Sequence, residues 1–282
     1  MAGQALAAGS LLQATVHELA RLPAQREERR IATELLLELL FVEGRDGRMS
    51  KVFRDYTADC AEQRDPEFDK LYVSGVLATR TSPVPLRRRD RFLLLVRFLE
   101  RTLELDGLIA ECGCFRGLSS YLLCSRLKRA DPAFDGSGFS IFDSFRGLSE
   151  PRPEDALTPE TGPSAPLPSD IRAGQFAASL EEVQRALAPF PGIRYFPGWI
   201  PDAFPEGGEE RYRFVHVDVD LYQPTKDSFE YFWPRLVPGG VIVCDDYNWP
   251  GGKQAVEDFC RARGLSFELS AARQAVVQRP PK

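Results

Sequence analysis

RFVHVDVDLY at residues 213–222 and GGVIVCDDY at residues 239–247 indicate the fold of this 282-residue chain. Each is a short run of β-branched and aromatic residues that ends in aspartates. Such runs are typical of strands buried on both faces of a sheet. Since consecutive parallel strands in this half of a doubly wound sheet are usually neighbours, we expect both acidic ends at one edge of the sheet.

Further short apolar runs alternate with helical segments along the chain. The sequence predicts strands at residues 108–113, 139–145, 193–198, 265–270 and 274–278. Strands that alternate with helices form βαβ units, with helices on both faces of a parallel sheet. The sequence therefore predicts an α/β fold with a doubly wound, mostly parallel, Rossmann-like sheet.

The residues before this series have helical periodicity. Between residues 11 and 60, one apolar stripe contains Ile31, Leu35, Leu36, Leu39 and Leu40. A second helical stretch, residues 86–104, follows the turn-forming TSPVP. We expect an N-terminal helical extension over residues 1–104 and a second domain over residues 105–282. The arginine runs at residues 26–30 and 87–89 are interpreted as solvated helix faces.

A loop between residues 147 and 175 interrupts the α/β series. Its central part, PRPEDALTPETGPSAPLPSD, is rich in proline, acids and small residues and should be irregular. It is either a lid over an active site or a surface insertion. The next helix should begin at the capping box formed by Ser179 and Glu182.

Composition excludes several other classes of protein. The net charge of −5 gives no overall electrostatic footprint for nucleic acid. No stretch approaches the roughly 18 apolar residues that span a membrane, and no basic region precedes the apolar N-terminal residues as in a secretory signal. Six scattered cysteines suggest neither disulfides nor zinc. We expect a cytoplasmic protein without nucleic-acid or membrane partners.

Residues 111–117, ECGCFRG, join the first strand of the domain to a helix. Gly113 permits a close approach of the backbone, and Gly117 and Ser119 lie where helix N–H groups are free. The acidic Glu111 favours a cationic or amine-bearing ligand, such as the methionine end of S-adenosylmethionine. A turn packed for structural reasons would have the same pattern, which is neither a dinucleotide fingerprint nor a P-loop.

Asp143 ends the next predicted strand, FSIFD. A carboxylate at this position commonly accepts hydrogen bonds from ribose hydroxyls. The alternative is that Asp143 caps a following helix. Either interpretation puts it at the carboxyl edge of the sheet.

Four aspartates should meet at the same edge. Asp218 and Asp220 lie two apart at a strand end, so their side chains should point the same way, and Asp245 and Asp246 end the next strand. Their mutual repulsion would be relieved by a hard divalent cation, Mg²⁺ or Ca²⁺, or by helix N-terminal amides. His216, beside them, is expected to be a packed, hydrogen-bonded residue.

Several segments, in their order and spacing, resemble the macrocin O-methyltransferase (TylF/MycF-like) family over residues 105–262. They are ECGCFRGLSS, FDSFRGLSEP, FPGWIPDAFP, HVDVDLYQPTKDSFEYFWPRLVPGGVIVCDDY and KQAVEDF. The resemblance implies a class I methyltransferase fold, a seven-stranded sheet with a reversed last strand. It also implies a homo-oligomer that uses S-adenosylmethionine and Mg²⁺ to methylate a hydroxyl of a sugar or glycosylated natural product.

The resemblance also implies roles for individual residues. The cofactor would be bound by Glu111, Gly113, Gly117, Ser119, Asp143 and Ser144. The metal would be bound by Asp218, Asp245 and Asp246, with Asp220 as the general base. The loop at residues 147–175 would be a mobile lid.

Other functions use the same kind of sheet. A nucleotide-dependent oxidoreductase needs a dinucleotide glycine fingerprint, which this sequence lacks. A catechol-type O-methyltransferase also combines Mg²⁺ with aspartates at this edge. A non-catalytic binding protein with the same fold is a further alternative, against which the intact aspartates and glycine turn argue.

Overall fold

The computed structural model describes residues 13–14, 16–17, 65–81, 88–156 and 171–281. The stripe at residues 31–40, the arginine run at residues 26–30 and the middle of the 147–175 loop lie outside these ranges. Within them, seven strands form one sheet in the order β3-β2-β1-β4-β5-β7-β6. The strands are β1 (Leu108–Cys112), β2 (Phe139–Asp143), β3 (Arg194–Pro197), β4 (Tyr212–Val217), β5 (Leu236–Cys244), β6 (Glu268–Leu269) and β7 (Ala275–Gln278).

The sheet is doubly wound, as the alternation of strands and helices predicts. β1 pairs in parallel with both β2 and β4, so the strand order reverses at β1. β5 extends the parallel part, and β7 runs antiparallel between β5 and β6. Ligands of such sheets bind where the order reverses, at the carboxyl ends of the strands. The predicted seven-stranded, mostly parallel sheet is confirmed.

Six helices in the described part of the chain cover the two faces of the sheet. They are α1 (Pro66–Thr79), α2 (Arg88–Glu100), α3 (Leu118–Ala130), α4 (Leu180–Ala186), α5 (Tyr222–Phe232) and α6 (Pro250–Arg263). One core joins α1–α4 to strand residues such as Ile109 and Ile141. The other joins α5 and α6 to the opposite side chains, including Ala110 and Phe142. This alternation follows from the two-residue period of a strand.

Arg89, the member of the arginine run whose side chain the structure describes, does not belong to a solvated helix face. Arg89 is buried, and its Nε and Nη1 donate to Asp69 Oδ1 at 2.6 Å and to Asp90 Oδ1 at 2.5 Å. Burial opposes its charge, but the two carboxylates outweigh burial and raise the pKa of Arg89 above its usual value. The expectation for this residue is wrong because α1 supplies a buried acid that the arginine run itself does not reveal.

The 147–175 loop begins and ends on paired backbone. Leu148 N donates to Gln175 O, and Gly174 N donates to Leu148 O, each at 2.9 Å. The capping box before α4 is confirmed, with Ser179 N donating to Glu182 Oε2 at 2.9 Å. Among the helices described here, none has the length and apolarity to cross a membrane.

Candidate active site

A cavity of about 410 Å³ opens at the carboxyl ends of β1, β2, β4 and β5. The backbone turn after β1 lines one side of it, and the aspartates after β4 and β5 line the other. Residues from both described ends of the 147–175 loop, including Leu148, Ser149 and Phe176, complete the rim. The cavity therefore lies where the fold predicts a ligand.

The turn after β1 depends on the absence of a side chain at Gly113. Its φ is +79°, and a Cβ there would lie 1.9 Å from the carbonyl oxygen of Asp218. Its N–H donates to Phe142 O at 2.9 Å. The backbone at Gly113 therefore passes close to the ends of β2 and β4 and lines the cavity without a side chain.

Asp143 lines the cavity and is held by backbone amides. Its Oδ2 accepts from Cys114 N and its Oδ1 accepts from Phe145 N, both at 2.7 Å. The residues after it form a bend and not a helix, so the helix-cap alternative is wrong. Each carboxylate oxygen has a second lone pair and can still accept from a ligand hydroxyl.

The six sequence-predicted cofactor residues divide into two groups. Gly113, Ser119, Asp143 and Ser144 line the cavity. Glu111 does not, because its side chain is fully buried between Ser120 Oγ and His216 Nδ1, the latter at 2.8 Å. Gly117 also lies outside the cavity lining, and the atoms nearest to an added Cβ there would be those of Val183 in α4 and of Leu187 just after it, at 3.5 Å.

The side chains of the aspartates after β4 converge, but not because they alternate along a strand. β4 ends at Val217, so Asp218 and Asp220 lie in a turn, and Asp220 has a left-handed φ of +59°. The expectation that they project from one strand is therefore wrong. The turn is held because Val219 N and Asp220 N donate to Asp246 Oδ2 at 3.0 and 2.8 Å. One oxygen each of Asp218, Asp220 and Asp246 lies within 4.8 Å of the others.

These carboxylates are crowded, and Asp246 is buried. Burial, reinforced by Asp245, raises the pKa of Asp218 to about 6. Burial and repulsion from Asp220 and Asp218 raise the pKa of Asp246 well above its usual range. Positive charge placed beside these carboxylates would oppose both shifts.

Asp245 has a different environment from its neighbour. Its Oδ2 pairs with the Arg91 guanidinium, and its Oδ1 accepts from Gln274 Nε2 at 2.7 Å. Burial alone would raise the pKa of Asp245, but Arg91 and His216 outweigh burial and lower it below its usual range. Asp245 is therefore ionised and already partnered.

His216 is packed and hydrogen-bonded, as the sequence predicts. It is fully buried, with Nδ1 on Glu111 and Nε2 3.9 Å from Asp245 Oδ1. Burial favours the neutral ring, but Asp245 and Glu111 outweigh burial and raise the pKa of His216 to about 10. It lies outside the cavity lining, behind the aspartates.

Sequence reasoning missed several residues that line the cavity, among them Arg91 and three aromatic residues. Arg91 lines the cavity and contacts Asp245, although nothing in the run LRRRDRF separates it from its neighbours. Phe115, Phe176 and Trp199 form an aromatic rim, with the first two rings 5.9 Å apart and edge-to-face. Trp199 belongs to the FPGWIPDAFP motif, so its presence in that motif was an available signal.

The acidic side of the cavity fits a divalent cation. Carboxylate oxygens are the donors that Mg²⁺ and Ca²⁺ prefer, and three of them converge here. The raised pKa values of Asp218 and Asp246 show that added positive charge would stabilise this edge. The donor set therefore suits a hard cation and does not suit zinc, for which sulfur or several histidines would be typical.

Comparison with known proteins connects this site to one enzyme family. Residues 88–278 match the family model of macrocin-O-methyltransferase (TylF). A tetracenomycin-C 4'-O-methyltransferase of Streptomyces olivaceus, which is named for its 2,3-dimethoxy-rhamnosyl substrate, is 30% identical over 200 residues, 66% of this chain and 70% of that protein. The mycinamicin III 3''-O-methyltransferase of Micromonospora griseorubida is 28% identical over 58% of this chain and 64% of its own length.

Solved structures agree with this relation. The O-methyltransferase NovP superposes with a TM-score of 0.55 at 25% identity, covering 67% of this chain and 79% of its own. A calicheamicin methyltransferase shares the fold, with a TM-score of 0.56 at 18% identity over 83% of this chain and 99% of its own. The sheet is thus that of class I methyltransferases, and the chain belongs to the macrocin-O-methyltransferase (TylF) family.

Proposed function

We propose that this O-methyltransferase moves the methyl group of S-adenosylmethionine to a hydroxyl of a glycosylated small molecule, with the help of a divalent cation, preferably Mg²⁺. The observation that carries the proposal is a single cavity with two unlike walls. One wall is a glycine turn with Asp143, and the other is a cluster in which oxygens of Asp218, Asp220 and Asp246 lie within 4.8 Å of one another.

The wall made by β1 and β2 suits the methyl donor. Gly113 and Cys114 present backbone, Ser119 lies in the first turn of α3, and Asp143 has spare lone pairs for ribose hydroxyls. Glu111 contributes indirectly, since it is buried behind the turn and contacts Ser120. We assign it, with Gly117, to the support of this wall.

The wall made by β4 and β5 suits the acceptor. A hydroxyl is a weak nucleophile because it holds its proton at neutral pH. When bound, a divalent cation held by Asp218 and Asp246 of this cluster, and by Asp245 next to them, would lower the pKa of that hydroxyl. Asp220 is assigned as the base: it takes the hydroxyl proton while the new O–C bond forms and the sulfur–methyl bond breaks. Such a base contributes about 10²–10⁴ in rate.

A glycosylated acceptor is supported by the relatives and by the cavity rim. The two relatives described above are named for a rhamnosyl tetracenomycin and for mycinamicin III. Phe176 and Trp199 are 39% and 43% exposed beside the cavity, an arrangement that favours flat or ring-shaped groups. We infer that the described ends of the 147–175 loop contact this acceptor, because they line the cavity.

The decisive experiment is a methyl-transfer assay read by mass spectrometry. The panel contains glycosylated natural products, their aglycones and simple catechols, each with and without Mg²⁺. We expect one added methyl group on glycosylated acceptors alone and loss of turnover in excess EDTA. Methylation of catechols alone would show that the acceptor is a catechol and not a glycosylated molecule. Full turnover in excess EDTA would show that the reaction needs no divalent cation.

Calorimetry with S-adenosylhomocysteine tests the donor separately. Binding in the low-micromolar range or tighter supports the assignment of the β1–β2 wall. Absence of binding, with all acceptors also unmethylated, would favour a non-catalytic protein with this fold.

A further inference from the structure

We propose that Arg91 is a built-in counter-ion of the acidic cluster, which a divalent cation must displace from Asp245 before it binds there. The inference rests on the proposed function, because it takes that cation as the site's resident ion. It adds a residue of the N-terminal region to the control of metal binding.

The first observation is where Arg91 lies. It is the fourth residue of α2, outside the strand-end motifs, yet its guanidinium reaches the turn after β5. Its Nη2 contacts both Oδ2 and the backbone oxygen of Asp245, and lies 3.8 Å from Asp246 Oδ1. Arg91 therefore touches two of the three proposed ligands of the cation.

The second observation is how incompletely Arg91 is bound. Its contacts with Asp245 and Asp246 all use Nη2, and the buried Nε has no hydrogen-bond partner among the described residues. Arg89, two residues earlier, engages Asp69 and Asp90 through separate nitrogens. An arginine that serves structure alone is expected to use its fork in this way, whereas Arg91 makes contact at one point.

The third observation is charge. Arg91 and a divalent ion would both be drawn to this acidic edge and would repel each other across a few ångströms of poorly hydrated space. Arg91 Nη2 already uses one lone pair of Asp245 Oδ2, so a metal on that oxygen would lie within a few ångströms of the guanidinium charge. The side chain is 21% exposed, so it has a path into the cavity. Metal binding at Asp245 and the withdrawal of Arg91 from it are thus a single exchange reaction.

The test measures metal affinity in the full-length protein, without substrate turnover. Mn²⁺ binding is followed by electron paramagnetic resonance, and Mg²⁺ by competition, for the natural protein and for Arg91→Gln. We expect the variant to bind Mn²⁺ about tenfold tighter or more, because a competing charge is gone. Arg91→Lys, which keeps the charge, should stay close to the natural protein.

The matched control is Arg101→Gln. It removes the same charge from the residue that follows α2, where Arg101 pairs with Glu268 in an exposed bridge. We expect its Mn²⁺ affinity to be unchanged. If Arg101→Gln tightened binding as much as Arg91→Gln, the effect would be one of net charge and the exchange would be refuted.

Thermal unfolding gives a second readout. Without metal, Arg91→Gln should melt below the natural protein, because buried carboxylates lose a counter-ion. Saturating Mg²⁺ should raise its melting temperature more than that of the natural protein. Equal Mn²⁺ affinity and equal metal-induced shifts of the melting temperature in both proteins would refute the exchange but not the proposed function. Absence of metal binding in both would overturn it together with the cation of the proposed function.

Discussion

Asp143 and Asp245 lie at equivalent places, the carboxyl ends of two parallel strands, but their negative charges are compensated in different ways. Asp143 accepts from two backbone amides, Cys114 N and Phe145 N. Asp245 relies on a guanidinium and a side-chain amide, from Arg91 and Gln274. Backbone amides are fixed by the fold, whereas a charged side chain can move away.

Because of this difference, the β1–β2 wall of the cavity is rigid, whereas the β4–β5 wall can exchange its counter-ion. On the β1–β2 side, the glycine turn and Asp143 are shaped before any ligand arrives, which suits a cofactor that every reaction shares. On the β4–β5 side, two acids have raised pKa values and await positive charge. That side suits an ion and a reacting hydroxyl. The predictions below test whether the walls are separable.

Asp220→Asn should separate the walls most strongly. We expect the methyl-transfer rate to fall by about 10²–10⁴, because the amide cannot accept the hydroxyl proton. Affinity for S-adenosylhomocysteine should change little, since Asp220 belongs to the other wall. Steady-state kinetics and calorimetry measure both quantities, and Asp202→Asn, an exposed acid outside the cavity lining, is the control. An unchanged rate would refute the role of Asp220 as base.

The outcome for Asp220 bears on what sequence can foresee. Apolar runs that end in aspartates predict the strands, their order along the chain and the acidic edge. The structure confirms this sheet. The detailed geometry does not follow. Asp220 has a left-handed φ because Asp246 binds its amide, a contact between residues 26 apart in sequence.

Two other residues show the same limit in opposite directions. Glu111 has the residue type and position of a ligand contact, yet strand pleating turns its side chain to the buried face, towards His216. Arg91 has no motif, and only the packing of α2 brings it to the site, 154 residues from Asp245. Local patterns specify elements, but contacts between elements decide which side chains face the cavity.

Gly113→Ala should damage the backbone-built wall. The variant combines an unfavourable φ, worth about 1–2 kcal/mol, with a Cβ 1.9 Å from Asp218 O. We expect a total loss of about 3–5 kcal/mol of unfolding free energy, the range of severe core changes, and weaker S-adenosylhomocysteine binding. Denaturant unfolding measures the stability.

The control for that variant is Gly207→Ala. Gly207 has a similar φ of +73° with no atom within 4 Å of its added Cβ. The variant should therefore lose only the part of the unfolding free energy that comes from the unfavourable φ. Equal losses in the two variants would show that the contact between Gly113 and Asp218 relaxes freely. The β1–β2 wall would then be less rigid than the comparison requires.

Asp143→Asn should give a smaller effect that is insensitive to metal. One acceptor oxygen is replaced by an NH₂ group that faces a backbone N–H, so we expect a cost of about 1–3 kcal/mol. The cost should be the same in Mg²⁺ and in EDTA, because Asp143 is not one of the carboxylates that converge at the acidic edge. A cost that differed between Mg²⁺ and EDTA, measured by paired denaturant titrations, would show that the two walls are energetically coupled.

The smallest expected effect is the stabilisation of the charge-compensated wall by Mg²⁺ itself. At ten times its dissociation constant, an ion that binds only the folded state adds about 1.4 kcal/mol, which raises the melting temperature by roughly 3–6 °C in a chain of this size. Asp246→Asn should abolish that increase, since it removes a charge from the converging oxygens. Asp143→Asn should retain it in full. If both variants kept the increase, the cation would bind elsewhere. If both lost it, the carboxyl edge would be one coupled unit, and the contrast between an amide-held and a cation-held acid would have no functional meaning.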